Sequence, residues 1–376
     1  MALNAAMVTR YEGLRFRVGV SRAGHTDHAA CRGDLPDDPE IRDRRNDLGG
    51  CQRMSEALLD GIAQARTLTH EWIRTMAATH EAAPVFRESA QCDLERWPGM
   101  ALPGTYNIAM LSRLIGDGLD SDPECQSAMA DWILAKRRAE GSWWLDGMDP
   151  ADTFKKTDAE ETRFYLIGHI SNYALGALEA LDRSLPVPDF SRRYLDLEKM
   201  ESWMARRDWD DPWQEGNNMV NLGSFLLLLR EDDKTREAAI GALDWLIAWH
   251  IDNSNPNTGF WGNRQETERD LLHAMAGATH NYHLFYKLGR PVPHLDKAVD
   301  YCLTQPPDVV SACIDADLVD ILANAAFLTD HRKDEVVEWL TEIGHALLAF
   351  QNGDGGFADT MEGTRRFDGW TTGYSE

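Results

Sequence analysis

One turn, written three times along the chain, limits the fold more than any other feature. Leu134-Ala-Lys-Arg-Arg-Ala-Glu-Gly-Ser-Trp143 aligns without a gap on Leu348-Ala-Phe-Gln-Asn-Gly-Asp-Gly-Gly-Phe357, and Ile247 to Trp261 carries the same element with a longer loop. Each is a helix end, a polar turn, and an aromatic residue close behind a glycine. A second set recurs in the same order. Asn172-Tyr173 followed by Pro186-Val-Pro188 returns as Asn281-Tyr282 followed by Pro291-Val-Pro293, at offsets of 109 and 105 residues. Glycine ends a helix in the left-handed conformation, and the aromatic is expected to swing back and staple the hairpin just completed. Hairpins repeated in register share one core, and they either stack openly or close into a ring.

The rest of the chain agrees with a helical repeat. Ser55 to Ala82 places Leu58, Leu59, Ile62, Ala65, Leu68, Trp72 and Met76 at helical spacing, and no stretch alternates as a strand would. Start and stop signals give about eleven helices, one short of six pairs. The expected fold is all-α, a toroid of paired helices over residues 51–376. Residues 1–50 sustain no pattern and read as a flexible extension. That extension carries a net charge of 8 − 7 = +1 up to residue 45, against −24 for the whole chain. So acidic a body disfavours nucleic acid and anionic membranes as partners. No uninterrupted apolar run exceeds five residues, far short of the ~20 of a membrane-spanning helix. Six scattered cysteines without a C-x-x-C pair, and no visible secretory signal, lead us to expect a cytoplasmic protein with unbridged thiols.

Gln351-Asn-Gly-Asp-Gly-Gly-Phe357 resembles the Gln-x-x-x-Gly-x-Trp/Phe repeat of the terpenoid cyclase and protein prenyltransferase superfamily, and Ala139-Glu-Gly-Ser-Trp143 is a copy without the Gln. The resemblance implies a ring of inner and outer helices with a central cavity. The repeat register predicts inner-helix starts at Thr105-Tyr-Asn107, Asn217-Asn218-Met-Val-Asn221 and Asp315-Ala-Asp317-Leu-Val-Asp320. The third start is similar in register to the Asp-x-Asp-Asp motif of squalene–hopene-type cyclases. Carried over, Asp317 would protonate an alkene with Asp315 as its neighbour, while Leu318 stands where the third Asp belongs. His280 and His283 are then the groups left to tune the acid. The resemblance implies a linear prenyl chain as small-molecule substrate and no cofactor, with Mg2+ only if the substrate carries a diphosphate.

Other readings of the same residues compete. Asp315 at a helix start suits capping of first-turn amides, and Asp317 and Asp320 suit the helix dipole. Asp208-Trp-Asp-Asp211 matches Asp-x-Asp-Asp literally, but with the helix expected to begin near Asn217 it falls in a loop. A wall of His280, Tyr282, His283, Asn217 and Asn218, with Arg269, suits a sugar: a uronate lyase would use Tyr or His as base. A glycoside hydrolase would need two carboxylates, such as Asp210 with Asp317 or Glu268. Trp209 and Trp213 would stack on a sugar or stabilise a cation. No phosphate loop, H-E-x-x-H or other metal-ligand spacing occurs. The third reading is a toroid that binds a partner without catalysis.

Overall fold

A computed structural model describes residues 56–116, 122–145, 159–309, 311–357, 365–367 and 370–372. The N-terminal extension, residues 1–50, lies outside them. The described chain is mostly helical: α1 (Glu56–Met76), α2 (Ala101–Ile115), α3 (Pro123–Ala135), α4 (Ala159–Ala180), α5 (Leu197–Met204), α6 (Pro212–Glu231), α7 (Arg236–Asn253), α8 (Glu268–Leu288), α9 (Leu295–Cys302), α10 (Ala312–Leu328) and α11 (Lys333–Leu348). Among the described residues, strands occur only as two short antiparallel hairpins, β1 (Ala77–His80) with β2 (Ala83–Phe86), and β3 (Arg365–Phe367) with β4 (Trp370–Thr372). The first corrects the expected helix over Ser55–Ala82, which ends at Met76. Glu81 and Ala82 make its turn at φ 51° and 62°, without the glycine that normally announces such a conformation.

Packing follows an alternate-helix pattern. α4 lies on α2, α6 on α4, α8 on α6 and α10 on α8, while α11 packs on α1. The α6–α8 contact is the tightest, and glycines make it possible. A Cβ on Gly216 would collide with the Gly277 carbonyl, one on Gly277 with the Pro212 carbonyl, and one on Gly223 with Leu284. The pairs 216/277 and 223/284 share one offset, so the two helices run parallel and in register. Gly277→Ala should force these backbones apart and cost about 1–3 kcal/mol, read as a lowered midpoint in denaturant unfolding; an unchanged midpoint would mean the contact is loose.

Two of the three repeat turns staple as expected. Trp143 is fully buried and donates from its indole nitrogen to the Ile133 carbonyl at 2.7 Å; Trp261, 1 % exposed, donates to that of His250 at 2.9 Å. The third differs: Phe357 is 40 % exposed. There Gln351 makes the connection, its amide donating to Ala65 O at 2.8 Å, Gly355 O at 2.9 Å and Thr69 Oγ1 at 3.2 Å. The last repeat turn is thereby tied to α1, more than 280 residues earlier in the chain. Two apolar cores result, one built mainly on α5 to α11 and one mainly on α1 to α4; Phe225 of α6 belongs to the second, where it meets Phe190 edge-on.

Candidate functional site

The three expected inner-helix starts each lie about one turn inside their helix. α2 begins at Ala101, α6 at Pro212 and α10 at Ala312. α6 starts early because Pro212 presets the first helical φ and the Asp211 carboxylate caps it, accepting from Gln214 N. The literal acidic motif lies in a turn, as expected, but directly before the helix instead of several residues ahead of it, and its carboxylates are committed. Asp210 pairs with Arg264 at 2.6 Å and accepts from Asn263, and Asp208 accepts from the Asp210 backbone.

Asp315 and Asp317 sit two residues apart on α10 and do different things. Asp315 is 1 % exposed, and its carboxylate accepts from the Ser311 N–H at 3.1 Å, closing the start of the helix. Asp317 is 7 % exposed, and its Oδ2 is buried with no hydrogen-bond partner. Burial, with the nearby Asp320 carboxylate adding to it, pushes the Asp317 pKa well above the usual carboxylate range. Three residues on, Asp320 meets the His283 imidazole of α8 at 2.8 Å. α10 thus presents a buried carboxyl of raised proton affinity close to the Asp320–His283 pair.

The remaining sequence candidates divide by where their polar atoms go. The Tyr282 hydroxyl donates to Gly259 O at 2.8 Å in a fully buried contact, its ring edge-on to Trp261. Asn217 donates back to the Trp213 carbonyl, and Asn218 to Glu215. Trp209 stacks on Trp249, and Trp213 meets His273 edge-on. Tyr282, Asn217 and Asn218 thus each give a hydrogen bond to a protein group. Tyr282→Phe should leave Gly259 O buried without its donor and cost about 1–2 kcal/mol, measured by thermal unfolding; destabilisation below a few tenths would mean that water replaces the bond.

His280 faces inward and is neutral, since burial drops its pKa to about 3 with His283 and His169 contributing. His169 belongs to the same interior. Its ring stacks on Tyr165 at 5.6 Å and lies 4.6 Å from Tyr173, which in turn meets Tyr106 of α2 at 5.3 Å. Burial drops the His169 pKa to about 4, and its Nδ1 has no partner. Tyr173 lies close enough to Asp317 and Cys313 for their charge to raise its pKa further above a value that burial has already lifted. The spacing 165, 169, 173 is one helix face, so α4 carries an aromatic strip of Tyr165, His169 and Tyr173.

Among the described residues, no group of three or more His, Cys, Asp or Glu is placed to hold a metal ion, and no helix is long and apolar enough to cross a membrane. The four described cysteines are unbridged. No family model and no solved structure matches the chain. A stretch of 93 residues, 24 % of the chain, is 29 % identical to part of the AsmA family protein YicH of Escherichia coli (strain K12). It covers 16 % of that protein, so the chain spans about one sixth of the length of this curated relative.

Proposed function

We propose that this chain is an acid-initiated cyclase of linear prenyl substrates, with Asp317 as the proton donor, working inside a ring of helices. One observation carries the reading: a carboxyl that is buried and left with an oxygen that accepts no hydrogen bond from the protein, in surroundings that raise its proton affinity. Ion pairs and helix caps spend their oxygens, as Asp315 does. A carboxylic acid held protonated near neutral pH is equipped to give its proton away.

The chemistry follows from the surroundings. The proton moves from Asp317 to one alkene carbon, the π electrons form the new C–H bond, and a cation remains on the neighbouring carbon. The next double bond attacks that cation and closes a ring. The faces of Tyr165, Tyr173 and Tyr106 would stabilise the positive charge. The Asp320–His283 pair lies within one helical turn of the carboxylate left behind. Asp315 acts as a positioning residue by fixing the start of α10. Helical closure belongs to the same reading: the alternate-helix packing and the clasp of Gln351 onto α1 support it.

In the lyase reading the Tyr282 hydroxyl already donates to Gly259, which leaves the role of base to a histidine such as His280. The direct test is incubation of the purified protein with linear prenyl alcohols and diphosphates, alongside uronate polymers, with product analysis by mass and NMR. Cyclic isomers of a prenyl chain are the expected products. Unsaturated uronates would establish the lyase instead, and no consumption of any prenyl substrate would overturn the cyclase.

A further inference from the structure

A surface cleft of about 390 Å³ lies where the 3-10 turn Asp189–Leu195 leads into α5, a size suited to a small ligand. Its charge runs against that of the chain. The whole sequence carries −24, yet the cleft is lined by three cations, Arg193, Lys199 and Arg206, and two carboxylates, Asp196 and Glu198. One carboxylate is already engaged. Asp196 caps α5 by accepting from the Glu198 and Lys199 N–H groups, and its Oδ2 lies 3.1 Å from Lys199 Nζ. That leaves two guanidiniums against one carboxylate.

Both guanidiniums are anchored before any ligand arrives. Arg193 lies over the Tyr194 ring, 4.8 Å from its centroid, and donates to the Tyr194 hydroxyl at 2.6 Å. Arg206 donates from Nη1 to the Ser202 carbonyl and hydroxyl oxygens, both at 2.9 Å. The floor is firm as well: Tyr194 and Trp203 are each 2 % exposed and meet edge-on at 5.4 Å. Anchored side chains lose less freedom when a ligand binds, and a guanidinium has five N–H donors with which to do both jobs.

We propose that this cleft binds the phosphoryl group of a small phosphate monoester, with Arg193 and Arg206 as the recognising forks and Lys199 as an added point charge. A guanidinium matches two phosphate oxygens at once. Cations from three places in the lining suit a tetrahedral dianion better than a flat carboxylate. The cleft is larger than a phosphate ion alone, so an ester fits it better than the free ion. Tyr194 and Trp203 are too deeply buried for a ring to stack on them, so recognition rests on the phosphoryl group and not on an aromatic base. Glu198 opposes the ligand's charge and limits affinity. No bond is made or broken. The assignment is independent of the cyclase reading, since neither Asp315 nor Asp317 lines the cleft.

The test is calorimetric titration at low salt, where exposed charges are least screened. Wild type, Arg193→Lys, Arg206→Lys and Glu198→Gln are titrated with glycerol phosphate, inorganic phosphate and sulfate, with circular dichroism confirming the fold. Glycerol phosphate should bind wild type at one site, and about tenfold or more weakly to each lysine variant, which keeps the charge and loses the fork. Glu198→Gln should bind it severalfold more tightly. Both inorganic anions should bind wild type more weakly than the ester does. Lysine variants that bind as well as wild type, or sulfate that binds as well as the ester, would reduce the cleft to a general positive surface and overturn the proposal. Inorganic phosphate binding as tightly as the ester would overturn the preference for an ester, and a wild type that binds none of the three would overturn the site. Every one of these results leaves the role of Asp317 to its own test.

Discussion

Asp317→Asn should lower prenyl turnover by about 10²- to 10⁴-fold, the contribution of a positioned general acid, and should not unfold the protein. The amide has the shape of the carboxyl but no acidic proton. The variant should also be more stable than wild type at neutral pH. The folded carboxyl holds its proton across a pH range where the unfolded chain has already lost it. Stability therefore falls as pH rises above the ordinary carboxylate range, and asparagine removes that dependence. The gain should be present at pH 7 and shrink toward pH 4. Loss of turnover with a gain in unfolding midpoint identifies a group kept for chemistry at the expense of stability. Loss of turnover together with loss of stability at every pH would instead mark Asp317 as structural.

Glu215→Ala should be the most damaging single change to the fold, at about 3–5 kcal/mol. The Glu215 and Arg207 side chains are 4 % and 3 % exposed, with Oε2 3.6 Å from Nη1. Glu215 also accepts from the Asp208 N–H at 3.1 Å and from the Asn218 amide at 2.9 Å. Arg207 lies over the Trp203 ring at 4.4 Å and donates to the Trp203 carbonyl. The pair joins the end of α5 to the start of α6, the helix whose glycines set the α6–α8 contact. Removing the carboxylate strands a buried guanidinium and two further donors. Replacing both partners, as in Glu215→Leu with Arg207→Met, should cost less than Glu215→Ala, because no charge is left buried. Denaturant unfolding decides it; a double variant worse than the single would mean the pair contributes more than it costs to bury.

The repeat made the helical architecture legible because its signals are local. Glycine and aromatic residues at fixed offsets report helix ends, and Trp143 and Trp261 do as their turns imply. Phe357 shows the limit: the turn is the same, but the tie to α1 comes from Gln351 reaching residues that are distant in sequence. The helices begin about a turn before the polar residues, such as Asn217, that suggest their starts, because in α6 Asp211 and Pro212 supply the capping. The β1–β2 hairpin was invisible, since its turn uses Glu81 and Ala82 where a glycine would have given the signal.

In the site, Asp317 could be singled out from its place in the repeat. That Asp315 spends its oxygen on Ser311, and that Tyr282 and Asn217 donate to Gly259 and Trp213, depends on partners no spacing reveals. His169 carried a signal, the 165, 169, 173 aromatic face of α4. That Tyr173 comes close enough to feel the Asp317 carboxyl depends on packing that no spacing reveals. The Arg207–Glu215 pair, eight residues apart across a helix break, had no periodic signal at all.

The central claim is that Asp317 is a protonated acid in the folded protein near neutral pH. Infrared difference spectroscopy of wild type against Asp317→Asn at pH 7 tests it directly through the carbonyl band of a protonated carboxylic acid. The band should be present in wild type, persist as the pH is raised above the ordinary carboxylate range, and be missing from the variant. A wild type whose spectrum at pH 7 contains only ionised carboxylates would contradict it.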